Sequence, residues 1–396
     1  MEFLKRHWSK LVFAGVFIIL SLSLVYIKNL EYIEFSVRDG RTKNLHYRDG
    51  ELLEVTALYK ESVLNPEGIE IEVEQIGDVD MLQLGEQPVV YRAEYNGIVN
   101  EITVNYVVKD VRRPVIKLKG DKKMVLRAGE EYVEPGFTAE DIFDGDVTDQ
   151  VIVKGTPKVN GDFTIKYIVT DSNGNTRITK RYVSVEVGED QKAAYLTFDD
   201  GPSPYTERLL DVLDLYNIKA TFFVTGQNLE YADMIGEAYR RGHTIALHAY
   251  DHDYSIYSSE ESYYEDLKKI HDIVVEQTGE EPTIVRFPGG TSNTTSRNYC
   301  EGIMSFLAKD LKNHGYVYCD WNVSSGDGGG AFDEATVITN VITGMTGLKS
   351  AIILQHDTQS FSVDAVDDII NWGLANGYVF LPLVVDSPMI QQNPLN

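Results

Sequence analysis

Cysteine is nearly absent: Cys300 and Cys319 are the 2 in a chain of 396 residues. So long a chain with so few thiols has no disulfide framework, and its stability must come from packing. Whether those two pair is not readable from sequence. Positive charge is also short. Lys and Arg number 36 against 61 Asp and Glu, a formal charge of −25. That excludes the basic footprint of a nucleic-acid binder and describes a well-solvated acidic surface. The metallopeptidase pattern His-Glu-x-x-His is missing too, because no Glu follows His248. Disorder is excluded by a hydrophobic content of 43%. The length predicts two to four domains.

The N-terminus sets the expected compartment. Lys5, Arg6 and Lys10 precede "LVFAGVFIILSLSLVYI", an uncharged run over residues 11–27. Its length is at the short end of what spans a bilayer, and the basic flank favours the cytoplasmic side. No clear small-x-small cleavage site follows. The expectation is an uncleaved signal anchor over residues 1–30, with a cleaved signal peptide as the competing reading. The protein is then single-pass in a bacterial cell membrane, with everything after about residue 30 outside.

Residues 31–187 read as all-β. Alternating runs such as "IEIEVEQI", "EITVNYVV", "FTIKYIVT" and "YVSVEV" are separated by turn residues. Residues 84–108 parallel 160–185. Gly85 matches Gly161, Tyr91 matches Tyr167, and Asn96-Gly97 matches Asn173-Gly174 after a one-residue shift. Each Asn-Gly lies between two strands, where a hairpin needs positive φ. Two tandem β-sandwiches are expected, over 31–111 and 112–189. The stretch "RPVIKLKGDKKMVLRAGEEYVEPGFTAEDIFDGDVTDQV" with "YIVTDSNGNT" resembles the Ig-like modules of bacterial surface proteins. Such modules are usually spacers or adhesive arms. The acidic turn "DIFDGDVTD" reads as solvated rather than as a Ca²⁺ site.

From residue 190 to 396 the rhythm changes. Short apolar runs ("AAYLTF", "ATFFVT", "HTIALH", "TIVRF", "GYVYCDW", "SAIILQH", "YVFLPLV") alternate with helical stretches. Seven or eight βα units in some 200 residues predict a compact, incomplete α/β barrel, with chemistry at the carboxyl ends of its strands. Asp199 and Asp200 end the first strand. His248 and His252 end the third. One carboxylate with two imidazoles is a common three-ligand set for a catalytic divalent metal. If Asp200 is the ligand, Asp199 is left to act as a base on a water. Arg286, in "VRFPGG", suits holding that base ionised. His356, in "LQHDT", suits protonating a leaving group. Taken singly, each is matched by a bland reading: a solvated turn, or surface imidazoles.

Taken in order, the motifs "TFDDGPSPYT", "ATFFVTG", "HAYDH", "RFPGG" and "LQHD" resemble those of the polysaccharide deacetylase family (NodB-like, carbohydrate esterase family 4). The resemblance covers half the chain. It implies a deformed (β/α)7 barrel, Zn²⁺ or a similar ion such as Co²⁺ on Asp200, His248 and His252, Asp199 as base restrained by Arg286, and His356 as acid. The segment "NVSSGDG" resembles the family's Val-x-Ser-x-Asp-Trp pattern and assigns Asp327, not Asp320, as the partner of His356. Three positions depart from the family. Ala249 follows His248 where Ser or Thr is usual. Gly289 stands where an aromatic residue is frequent, with its backbone N–H still able to serve an oxyanion. Gly328 replaces the Trp, and Trp321 is a candidate for the missing wall, against a core role. Tyr250, Tyr254 and Tyr257 trail the His motif; Tyr250 is placed in the candidate substrate-binding set. His243, His271 and His314 read as structural or surface residues.

The expected function is removal of N-acetyl groups from N-acetylglucosamine-containing glycan, with peptidoglycan as first substrate and no nucleic-acid partner. The alternatives are an O-acetyl xylan esterase and a non-catalytic glycan-binding adhesin.

Overall fold

The computed structural model describes residues 12, 15–23, 30–63 and 67–395. Residues 15–23 are helical. The rest of the anticipated membrane anchor, apart from residues 12 and 30, lies outside the described residues. Among those described, no helix is long and apolar enough to cross a membrane. The chain forms two compact units. One comprises residues 1–117, 138–152 and 168–178, the other 118–137, 153–167 and 179–396. The division falls within the second β module.

The internal repeat is a repeat of topology. In the first copy the strands are β1 (Tyr32–Val37), β2 (Thr42–His46), β3 (Val55–Lys60), β4 (Ile69–Ile71), β5 (Val73–Ile76), β6 (Gly85–Tyr95) and β7 (Ile98–Lys109). They form sheets of order β1-β3-β4 and β2-β7-β6-β5. The second copy has β8 (Val115–Leu118), β9 (Lys123–Arg127), β10 (Phe137–Asp141), β11 (Gly145–Asp146), β12 (Ile152–Lys154), β13 (Gly161–Thr170) and β14 (Thr176–Glu186). Its sheets run β8-β10-β11 and β9-β14-β13-β12, the same orders seven strands on. Both copies even begin their larger sheet with a parallel pair, β2 on β7 and β9 on β14. The β6–β7 hairpin turns at Asn96 and Gly97, with φ of 50° and 78°. Both central residues are left-handed, as a two-residue hairpin that preserves strand twist requires.

The strands after residue 190 form one curled parallel sheet. Its strands are β15 (Lys192–Asp199), β16 (Thr221–Thr225), β17 (Thr244–Ala249), β18 (Ile284–Val285), β19 (Val317–Tyr318), β20 (Val323–Ser324), β21 (Ser350–His356) and β22 (Tyr378–Phe380). The order is β19-β18-β17-β16-β15-β21-β20, with β22 pairing the start of β15 where β16 pairs its end. β15 is buried along nearly its whole length, as a central parallel strand covered on both faces should be. The core is aliphatic and aromatic, with Leu196, Phe198, Leu247 and Ile353 among its buried residues.

The hydrogen-bond ladder stops at β19 on one side and β20 on the other. The sheet is a curled half-barrel whose two edges are joined by the chain itself. Cys319 N–H donates to Val285 and Asn322 N–H to Ile352, so only Asp320 and Trp321 lie between the two edges. Cys300 and Cys319 are both free thiols.

Candidate active site

The strand register sets up the site before any side chain is considered. Asp199, last residue of β15, pairs with His356, last residue of β21. Leu247 pairs with Val285, which puts His248 beside Arg286. All of these stand at carboxyl ends, the one rim of a parallel sheet where side chains from different strands converge. Asp199, Asp200, His248, His252, His356 and Asp327 line a single cavity of about 280 Å³.

Asp199 is held rigidly. Arg286 Nη1 donates to its Oδ1 at 2.7 Å and to Thr197 Oγ1 at 2.8 Å. The other guanidinium bonds go to the carbonyls of Cys319 and Asp320, and Phe223 packs 4.0 Å from it. Arg286 is fully buried. Burial pushes the Asp199 carboxyl above its ordinary range, opposed by the charges of Arg286 and His356.

Asp200, His248 and His252 bring one ligand atom each to within 4.8 Å of one another. His248 Nε2 is 3.5 Å and His252 Nε2 3.4 Å from Asp200 Oδ1. That oxygen is buried and has no hydrogen-bond partner. His248 Nδ1 lies 2.8 Å from the Arg286 carbonyl. A carbonyl only accepts, so Nδ1 carries the proton and Nε2 presents its lone pair to the site. Burial pulls the His248 imidazole down to about 3, which keeps it neutral and able to ligate. Asp200 and His252 both have positive φ, 69° and 54°, a strain commonly found where a side chain is aimed for function. An orphaned carboxylate oxygen and two imidazoles fit a divalent metal ion.

On the opposite wall His356 Nδ1 is 2.8 Å from Asp327 Oδ1. Asp327 is fixed in turn. Its Oδ2 accepts from His356 N–H at 2.7 Å and from the Ser362 hydroxyl, and its Oδ1 from the Ser325 hydroxyl. Burial alone would lower the His356 pKa. The Asp327 bond and charge, with those of Asp199 and Asp200, outweigh it and push the imidazole up to about 9. Asp320 does something else. It accepts from Thr291 N–H at 2.9 Å and Gln392 N–H at 2.8 Å.

Gly289 and Trp321 line the cavity. Gly289 has φ of 75°, and a Cβ there would collide with the Tyr254 hydroxyl. The Trp321 ring lies on Gly290 and shares the cavity wall with Gly328. Tyr250 corrects the sequence reading, since it is not among the lining residues. It packs on Gly226 and under Lys269 instead. Tyr254 takes the position facing the cavity. Tyr257 is buried and donates to the Pro288 carbonyl. Sequence reasoning also passed over Ser325, Ser362 and Asp357. Asp357 follows His356 directly, accepts from Thr206 Oγ1, and lies where a Cβ on Gly201 would strike it. His243 is structural, its Nδ1 accepting from Ala220 N–H.

A family model described as polysaccharide deacetylase matches residues 186–302. A second, described as a bacterial surface protein Ig-like domain, matches residues 116–185. A peptidoglycan-N-acetylglucosamine deacetylase of Bacillus cereus is 31% identical over 201 residues, which are 49% of this chain and 70% of that protein. The chain belongs to the polysaccharide deacetylase family. It is therefore a carbohydrate deacetylase, a hydrolase acting on carbon–nitrogen bonds other than peptide bonds, in a family that is metal-dependent in general. A peptidoglycan deacetylase of Listeria monocytogenes is also 31% identical, over 52% of this chain and 42% of its own. The solved catalytic domain of a peptidoglycan N-acetylglucosamine deacetylase from Eubacterium rectale is 50% identical. It covers 53% of this chain and 96% of its own, with a TM-score of 0.52.

Proposed function

We propose that this deacetylase removes the acetyl group from N-acetylglucosamine residues of peptidoglycan, with a divalent metal ion, Zn²⁺ first, held by Asp200, His248 and His252. One observation carries the reading: a buried carboxylate fixed by arginine, a three-ligand set and a carboxylate-held imidazole face one cavity. The substrate is supported by the relatives named for peptidoglycan. A bound dication supplies Lewis acidity for the acetyl carbonyl and the attacking water, and positive charge that favours ionised Asp199. Asp199 accepts the water proton through Oδ2, the oxygen its Arg286 bond leaves open. A donor at Gly289, its backbone N–H, serves the developing oxyanion. His356 gives a proton from Nε2 to the departing nitrogen, because Nδ1 is engaged by Asp327. The carbon–nitrogen bond breaks, releasing acetate and a free glucosamine amine. Trp321 supplies the acetyl-pocket wall that Gly328 lacks. The run over residues 11–27 tethers the enzyme in the membrane, with the chain after about residue 30 outside the cell; its basic flank supports this orientation.

Acetate release from a glycan panel tests the reading. Chelation should abolish release and Zn²⁺ or Co²⁺ restore it; full activity in a verified metal-free preparation overturns the metal. Asp199→Asn should keep the metal and lose at least about 10²-fold in turnover. Release from acetylated xylan alone would make the protein an esterase, and binding with no release anywhere would make it an adhesin. Protease added to intact cells should cut the β modules and spare the N-terminus.

A further inference from the structure

The acidic turn that reads as solvated in sequence is exposed at Asp146 and Asp149 but buried at its first residue. Asp141, its first residue, is 4% exposed, and two further aspartates, Asp110 and Asp171, are 6% and 5% exposed. One carboxylate oxygen of each lies within 4.8 Å of the others. All three belong to the same compact unit. Asp110 follows β7, Asp141 ends β10 and Asp171 follows β13, so the cluster joins the end of the first module to two turns of the second.

Three buried carboxylates need a counter-charge, and no side chain provides it. Their donors are neutral. Asp141 Oδ1 accepts from the Phe143 and Asp144 amides. Asp171 accepts from the Asn173 and Asn175 amides and from the Asn175 side chain. Asp110 accepts from the Arg112 amide. The Arg112 guanidinium goes to Asp49 instead. Among the described residues none of the three has an ion-pair partner. Asp141 Oδ2 is buried with no hydrogen-bond partner at all. Burial raises the Asp110 carboxyl, and Asp141 and Asp171 push it further against the Arg112 amide. Buried charge persists when it is paired or when it coordinates a metal.

We propose that Asp110, Asp141 and Asp171 bind a Ca²⁺ ion that fastens the segment after the first β module to the Ig-like module. The spacing suits that ion: oxygens at 2.3–2.6 Å from a common Ca²⁺ are at most about 5 Å apart. The donors are all hard oxygen, which disfavours zinc and copper. Turns and a linker give the adaptable geometry that Ca²⁺ accepts and Mg²⁺ does not. The site is separate from the deacetylase cavity and uses none of its residues.

The test is calorimetric titration of Ca²⁺ into the full chain after chelator treatment, beside Asp141→Asn and Asp171→Asn. The parent should bind with Kd on the order of 10⁻⁴–10⁻³ M, and each variant at least about tenfold more weakly. The difference between parent and variant isolates this site from any Ca²⁺ held elsewhere. Absence of binding to the parent, or undiminished binding to the variants, overturns the proposal. Thermal unfolding separates a ligand role from a structural one. In chelator the variants should melt at or above the parent temperature, because a buried like charge is gone. With millimolar Ca²⁺ the parent should rise above both. Variants that melt below the parent in chelator would make the carboxylates structural in their own right and overturn the site.

Discussion

His356 sits under two opposed pressures, and the balance sets a measurable pH. Burial disfavours its charged form; Asp327 restores it and leaves the group near 9. An acid must be protonated to donate, so activity should fall as pH rises through that value. In Asp327→Asn the bond and charge are lost while the burial remains. The alkaline limb should then move to lower pH by about one unit or more, with turnover down roughly 10–10²-fold. An unmoved limb would remove Asp327 from this role. Arg286 and Asp199 form the complementary case. Arg286→Met strands a buried carboxylate, whose pKa must rise further. The acidic limb should shift to higher pH, and breaking the buried pair should destabilise the fold by about 3–5 kcal/mol, measured by denaturant titration. Asp327 was legible in sequence through the resemblance of "NVSSGDG" to the family's Val-x-Ser-x-Asp-Trp pattern, a motif confined to one short segment. Tyr254 was not: choosing among Tyr250, Tyr254 and Tyr257 depends on the short helical turn over Tyr254–Ser258, which carries Tyr257 inward and leaves Tyr254 at the cavity.

At the scale of elements, the seam between β19 and β20 has the clearest consequence. Asp320, fully buried, bonds the loop at Thr291 and the C-terminal segment at Gln392, while its own N–H donates to Ile390 at 2.7 Å. Its carboxylate therefore fastens two chain segments where the sheet has no ladder. Asp320→Ala leaves one buried and one partly buried N–H group without acceptors and should lower stability by about 2–4 kcal/mol. The pH limb assigned to His356 should stay in place. A shifted limb with unchanged stability would reverse the division between Asp320 and Asp327. The hairpins illustrate the opposite situation. Asn96-Gly97 announces its turn in two letters, because only positive φ at both positions preserves strand twist.

Across the whole molecule, the charge of −25 bears on which substrate is met and how. On the proposed reading, peptidoglycan fragments that carry net negative charge would be repelled by an acidic enzyme, whereas a neutral N-acetylglucosamine oligomer would not. Repulsion beyond about 10 Å is screened near 0.1 M salt. Raising ionic strength from roughly 10 mM to 150 mM should therefore lower KM on wall fragments severalfold and leave KM on neutral oligomers nearly constant. Equal salt responses on both substrates would remove long-range charge as a factor.

The residues of this protein by themselves settled everything that depends on short spacing. They settled the period of the strands, the Asn96-Gly97 turn and the change from all-β to βα rhythm near residue 190, and, through the resemblance of the ordered motifs, pointed to Asp199, Asp200, His248, His252, Arg286 and His356. Tertiary structure decided what depends on distance through space. It set Asp199 beside His356 by strand register and joined the two edges of the sheet through Asp320 and Trp321. It moved Tyr250 out of the cavity. It also buried Asp110, Asp141 and Asp171 together although 61 positions separate the first from the last. The physical reason is that local preference acts through neighbouring dihedrals, while burial, and with it every shifted pKa and uncompensated charge, exists only after remote segments pack.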